Sequence, residues 1–500
     1  MAPQAFIIHR FVLSVERQPA DVSQAGLIVA GPVAAYSRPM SELSTSASRP
    51  TAASPDRDEP VKVELARKPM GIIGTVLAAR RNLLSIIPEL ALRQPIVSGR
   101  TGIRWHMVMD PESLRHILKD RVEDYPKSVT TKLILEPAIG DSLFIAEGAQ
   151  WRWQRRALAP AFAHRHVTAL GPVMTAAAEA SSRRLAAAQE PVDMFEETVA
   201  ATFEVISDVT LSGDAAFDRA AVHNAINGYI AQTAKVSLLD VMGLPAWLPR
   251  PGRLFSGGEL KRMLRIADEA IASRAAAGHA GAPDLLDLLL DAKDPETGRS
   301  MTRTELRDNL LTFIVAGHET TALTLAWALY LCAFDPSVQD RAAAEARAAI
   351  GDRAATADDM GALPYTLQVV NETLRLYPPA AFLSRTARMP DRLCGREVRP
   401  GDTVMLPVYA LHRHHLLWDR PDAFDPDRFQ TAPDRYAFLP FGAGPRICIG
   451  ASFALQEAAI ILATLLARFR FEALPGVAPE PRLILTLRPH GGVRLRVSPR

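Results

Sequence analysis

A mainly helical fold with a few small strands is what this sequence predicts, from three observations. Helical periodicity recurs along most of the chain, and its longest run covers residues 303–334. Thr302 and Glu305 open that run in capping-box spacing, and at ~1.5 Å per residue it is roughly 50 Å long. Strand-like runs are few and short, at 104–109, 404–409, 483–487 and 493–497. No internal repeat is visible, and beyond residue 62 no linker interrupts the pattern. The reading is therefore a leader over 1–62 and a single domain over 63–500.

The leader is rich in Ser, Ala and Pro without sustained periodicity, as disordered segments are. Glu16, Asp21 and Glu42 nearly balance its arginines, which argues against a transit peptide, and Met40 is an alternative start. Within the domain, apolar residues at 48% of the chain supply a large core, and a net charge of +2 gives no reason to expect a nucleic-acid partner. Cys332, Cys394 and Cys448 are odd in number and far apart. That pattern speaks against a disulfide framework, a zinc knuckle or a built-in iron–sulfur cluster, and suits a reducing, cytoplasmic compartment. No uninterrupted apolar run reaches the ~18 residues of a spanning helix. The best, 25–36 and 71–79, are broken by Gly31 and Pro32 or run into Arg80 and Arg81. A soluble monomer without a transmembrane anchor is expected.

Taken in order, the first distinctive segment is Trp151-Arg152-Trp153-Gln154-Arg155-Arg156, in a stretch without an acid from Trp151 through Ala178. The long helix carries Ala316-Gly317-His318-Glu319-Thr320-Thr321 at its middle. A glycine with polar and acidic residues inside an apolar helix is a local conflict of the kind that marks function. Gly317 weakens the helix, the Thr320 hydroxyl can bond back to a carbonyl, and an acid beside an alcohol can relay protons. The bland alternative is a buried, satisfied Thr and a surface Glu. Next, Glu372 and Arg375 stand three apart on one helix face among apolar neighbours, and Pro378 and Pro379 end that helix. The turn Arg399-Pro400-Gly401-Asp402 leads into the strand over 404–409.

Residues 441–450 read Phe-Gly-Ala-Gly-Pro-Arg-Ile-Cys-Ile-Gly. Gly444 and Gly450 frame Cys448, letting the backbone turn tightly and approach a flat ligand closely. Arg446 can meet a carboxylate as a two-pronged donor. A helical pattern follows at once through Phe453, Glu457, Ile460 and Ile461, so Cys448 lies near a helix N-terminus, which favours a thiolate. Such a thiolate is one way to hold haem iron. The dinucleotide alternative fails, because the third glycine and the βαβ frame are both missing.

The spacing F-x-x-G-x-R-x-C-x-G resembles the haem-binding signature of the cytochrome P-450 superfamily, with Phe441, Gly444, Arg446, Cys448 and Gly450 at its fixed positions. The resemblance runs over about 95–497. It implies a helical prism with small sheets to one side, and haem b between the long helix and the cysteine loop. Cys448 would be the axial ligand. Glu319 and Thr320 match the family's acid–alcohol pair and would deliver protons; His318 would be packing or polar wall. Glu372 and Arg375 match E-x-x-R, with Arg428 as third member of a structural network that braces the cysteine loop. Trp151 and Arg155 match W-x-x-x-R and would hold a propionate, with Arg385 as another propionate partner. His412 and Arg413 lie in a further match without an assigned role.

The implied activity is insertion of one oxygen atom of O2 into an apolar organic substrate. Electrons would come from a ferredoxin or flavodoxin with its NAD(P)H-dependent reductase. Isomerase, dehydratase or peroxide-driven chemistry, and a non-catalytic haem sensor or electron carrier, are the alternatives. The expected pocket wall comprises the loop over 127–144, Ala316, Thr321, Ala380, Ala381, Phe382 and Leu383, which are chiefly apolar. With Arg155 engaged by a propionate, Arg152, Arg156 and Arg165 are expected to offer a basic surface to the donor.

Overall fold

The structure, a computed structural model, describes residues 59–189, 191–211, 257–278 and 283–500. Ten helices of ten or more residues lie among them: α1 (Ile72–Arg81), α2 (Val129–Ile139), α3 (Gly148–Leu158), α4 (Gly171–Ala187), α5 (Met194–Leu211), α6 (Gly257–Ala277), α7 (Arg303–Phe334), α8 (Pro336–Ile350), α9 (Pro364–Leu376) and α10 (Ala451–Arg468). Helix α7 has the bounds expected for the long run. Thr302 and Glu305 cap it reciprocally, each side chain bonded to the other's backbone N–H. Apolar residues go all round its C-terminal half, and a helix of that kind must be enclosed. Leu323 through Cys332 are buried apart from a trace at Thr324 and Tyr330, with α5, α9 and α10 packed around them.

Helix α10 is, by length and mean hydropathy (1.4), apolar enough to span a bilayer, and the same could hold for α7 and α8 taken as one bent segment. In this fold α10 is a core helix, packed on α4, α7, α8 and α9. Gln456 and Glu457 interrupt its apolar run without exposing it, because Gln456 donates to the Val167 carbonyl at 2.9 Å.

Beside the helices stands a four-stranded sheet in the order β1 (Ile96–Thr101), β2 (Ile103–Val108), β7 (Thr403–Leu406), β4 (Leu383–Thr386), antiparallel except for the parallel β2–β7 pair. Smaller sheets join β3 (Val192–Asp193), β11 (Arg494–Pro499) and β8 (Phe469–Ala473). Strand β5 (Asp391–Leu393) pairs with β6 (Arg396–Val398), and β9 (Glu480–Leu483) with β10 (Leu487–His490).

Two strand expectations are corrected. The run over 404–409 is a strand only to Leu406. Pro407, which has no N–H for the ladder, ends it, and its carbonyl accepts from Leu411 N in a helical turn, Val408–Leu411. The run over 483–487 is the tip of the β9–β10 hairpin. Its apolar residues straddle a turn that no Gly, Pro or Asn announces.

Residues 1–58 of the expected leader lie outside the described residues. Val61 and Val63, on either side of the proposed boundary at 62, dock on the core. Val61 N donates to Tyr330 Oη at 3.1 Å, its carbonyl accepts from Tyr377 Oη at 2.6 Å, and Val63 N donates to Tyr409 Oη at 2.9 Å.

Candidate functional site

The cysteine loop closes on itself: Cys448 N donates to the Phe441 carbonyl at 2.9 Å, and Ile447 N to Gly444 O at 3.2 Å. Gly444 is indispensable there. Its φ is +71°, and a Cβ on it would sit 2.0 Å from the Leu118 carbonyl oxygen. Gly450 is not required by the turn. Its φ of −91° suits any residue, and the nearest atom to a Cβ would be Phe162 Cε1 at 3.8 Å. Gly450 instead lends its N–H to the Cys448 sulfur at the head of α10. The Cys448 side chain is exposed although protein surrounds it on nearly every side, so it faces an internal space. Burial pushes its pKa up, while the Gly450 N–H and the nearby Arg155 guanidinium pull the other way. Arg155 reaches the loop directly, donating to Ile447 O at 3.1 Å.

Cations gather next to this loop. Arg446 donates to Ala146 O at 2.9 Å, pairs with Glu147, and lies 4.6 Å from the Trp151 ring centre. Arg385, on β4, is buried with its pKa pushed down to about 10, by burial and then by Arg446. Lys127 bridges to Arg385 through the backbone, and its ammonium lies over the Phe144 ring at 4.9 Å. Burial, Arg446 and Arg385 hold that ammonium's pKa well below the ordinary lysine range. Three inward cations against one carboxylate make a site short of negative charge.

At the middle of α7, Ala316 is exposed where its helical neighbours are mostly buried, and the Thr320 hydroxyl donates back to Ala316 O at 2.8 Å. Glu319 is not brought to Thr320. Its buried carboxylate accepts from Thr486 Oγ1 at 2.5 Å and Arg488 Nε at 2.7 Å, both on the β9–β10 hairpin. Burial raises its pKa, but Arg488 outweighs that and keeps it low. His318 is core, with Nδ1 2.7 Å from Ile314 O and its ring against Phe203.

The pocket expectation is corrected at three places. Thr321 is buried, bonded to Gly317 O and to the carboxyl of Glu457 on α10. Ala381 is core, whereas Ala380 is exposed and Phe382 and Leu383 are half-buried. The expected loop over 127–144 is largely helix α2, capped by Ser128.

The Glu372 and Arg375 pair is fully buried and fully used. Arg375 donates to both Glu372 oxygens at 2.7 Å and to the carbonyls of His412, Pro421 and Ala423. Arg428 Nε lies 3.4 Å from the same carboxylate, which also accepts Asp425 N. His412 acquires a clear role. Its pKa is pushed down to about 3, so the ring is neutral; Nδ1–H donates to Arg375 O and Nε2 accepts Leu439 N at 2.8 Å. One ring thus joins α9 to the segment entering the cysteine loop.

A family model described as Cytochrome P450 matches residues 68–496. The chain belongs to the cytochrome P450 family. Cyclooctatin synthase of Streptomyces melanosporofaciens is 33% identical over 86% of this chain and 94% of its own length. The cyclooctat-9-en-7-ol 5-monooxygenase of the same organism is 32% identical over 81% and 88%. The crystal structure of the cytochrome P450DA heme domain superposes with a TM-score of 0.70 at 27% identity, covering 81% of this chain and 90% of that one.

The protein is accordingly a P450 monooxygenase, whose cofactor is haem held by a cysteine thiolate. The residues of this P450 fit that group: an inward-facing thiol with an N–H aimed at it, and a buried cation cluster lacking the negative charge that propionates carry. Lys127 and Glu147 are the members that sequence reading missed. Lys127 was visible only as one end of a pocket segment. Glu147 gave no signal, because its partner Arg446 lies 299 residues away.

The basic surface of this P450 is largely neutralised, contrary to expectation. Arg152 pairs with Glu123, and Arg156 with the buried Asp294 and with Glu296. The acids come from outside the acid-free stretch. Arg165 is exposed and bonded to His166 rather than to an acid.

Proposed function

We propose that this P450 holds haem b through Cys448 and inserts one oxygen atom of O2 into an apolar organic substrate, drawing electrons from a ferredoxin or flavodoxin and its NAD(P)H-dependent reductase. The observation that carries the reading is the Cys448 sulfur, enclosed by protein, open to an internal space and supplied with the Gly450 N–H. Bound haem supplies the activation of oxygen. Arg155 and the Gly450 N–H would favour the thiolate, and Arg385, Arg446, Lys127 and Trp151 would hold the propionates. Thr320, beside the exposed Ala316, holds a proton at Oγ1. Ala380, Phe382 and Leu383 give the substrate an apolar wall. The network of Glu372, Arg375 and Arg428 keeps the cysteine loop's base rigid.

The three cysteines cannot build a four-cysteine cluster, which supports a separate protein as the electron donor. Unpaired thiols suit a reducing, cytoplasmic setting. In the test, reduced protein under carbon monoxide is compared with Cys448→Ala. The red-shifted Soret band must appear in the first and vanish in the second, and retention in the variant sinks the assignment. Engagement of Glu319 away from Thr320 favours one second reading, peroxide-driven turnover. Faster product formation with hydrogen peroxide than with any reduced donor would select it.

A further inference from the structure

Glu147 occupies the N-cap position of α3, yet its carboxylate does no capping. Oε1 accepts the Lys127 N–H at 2.9 Å and lies 3.9 Å from Lys132 Nζ, while Oε2 pairs with Arg446, two residues before Cys448. Its charge also acts on Arg385 and on the Lys127 ammonium. Cations from the segment before α2, from α2, from β4 and from the cysteine loop therefore surround one carboxylate. Two further acids act at the edge of this cluster: Glu123, paired with Arg152, on Arg446, and Asp141 on Lys132. Cations outnumber the carboxylates that act on them in this cluster, and the two propionates of a haem would offset the difference.

We infer that Glu147 is a positioning residue that sets the reduction potential of the haem, by fixing Arg446 against the cysteine loop and offsetting the cation cluster. The inference rests on haem being seated as proposed above. Reduction adds an electron to the haem, so nearby positive charge favours it and a carboxylate in the same cluster opposes it, with little screening in a buried site. Opposite potential shifts should follow from removing the two signs of charge. A residue that only braced the loop would not produce that sign reversal.

The test is an anaerobic dye-mediated redox titration of the substrate-free holoprotein, followed through the Soret band. Glu147→Gln should shift the one-electron equilibrium toward the reduced form by roughly tenfold, which is ~59 mV. Lys127→Gln should shift it the other way, and Glu147→Asp should stay near the wild type. An unmoved potential in Glu147→Gln, with a normal carbon monoxide band, overturns the inference and leaves the haem assignment standing. Loss of that band from the wild type would overturn the haem assignment instead. Should Glu147→Gln fail to take up haem, Lys127→Gln decides: an unmoved or raised potential there overturns the inference as well.

Discussion

Glu457 shows how burial alone dictates the behaviour of a residue. Its carboxyl lies in the core between α10 and α7 with Thr321 as partner, and burial raises its pKa to about 8. The folded state therefore binds a proton that the unfolded chain releases near its ordinary value of ~4.3. Stability from this group is complete below that value and is lost as pH rises through about 8. Glu457→Gln should leave the melting temperature unchanged at pH 4 and raise it at pH 8, by up to a few kcal/mol of stability. Equal effects at both values would count against a buried neutral acid. Glu372 is the opposite case, a carboxylate held by Arg375 on both oxygens and by the Asp425 N–H. Glu372→Ala strands Arg375, so a loss of about 3–5 kcal/mol and poor haem loading are expected. Wild-type haem content together with a wild-type melting temperature would refute it.

Among the elements, the β9–β10 hairpin is bonded to α7 and the cysteine loop closes on itself. The hairpin is tied to α7 by Thr486 and Arg488 on Glu319, which places an apparent catalytic acid in a structural bond. Arg488→Ala should cost about 1–3 kcal/mol, since it leaves a buried carboxylate without its cation. Arg488 depresses the Glu319 pKa in the folded state, so this stabilisation is present above the unfolded carboxylate pKa and fades as pH falls. Urea unfolding at pH 7 and pH 3 should show the difference between wild type and variant shrinking on the acid side. In the cysteine loop, Gly444→Ala must move the Leu118 carbonyl or abandon its φ of +71°. The expected result is a large drop in haem-loaded protein, read as the ratio of Soret to 280 nm absorbance.

For the molecule as a whole, the distribution of charge decides how an electron donor is met. Arg152 and Arg156 are neutralised by Glu123 and Asp294, and the Asp294 carboxyl is held far below its usual range by Arg156. A donor-docking surface would therefore depend on Arg165 more than on those two. Charge reversal at Arg165 should slow stopped-flow reduction by an acidic ferredoxin or flavodoxin several-fold while leaving substrate affinity intact. The effect should fade with salt, as the Debye length falls from ~10 Å at 0.1 M to ~3 Å at 1 M. A rate indifferent to both salt and Arg165 would place docking elsewhere.

Local pattern determined much of this protein. The long helix and its Thr302 cap, the buried Glu372 and Arg375 pair, and the ten residues around Cys448 were legible because each depends on neighbours a few positions away. The family was legible for the same reason: its motifs are short and keep their order. Only the tertiary structure decided which partner each charge takes. Glu319 turns to Arg488, 169 residues on, Arg156 to Asp294, 138 on, and Arg446 to Glu147, 299 back. Pairing across such distances is set by how helices and sheets pack, and an ionic bond leaves no periodicity in the sequence. The turn at the tip of the β9–β10 hairpin was hidden as well. Leu483 and Leu487 on either side of it are buried while Ile484 at the tip stands exposed, and none of the residues supplies the usual turn chemistry.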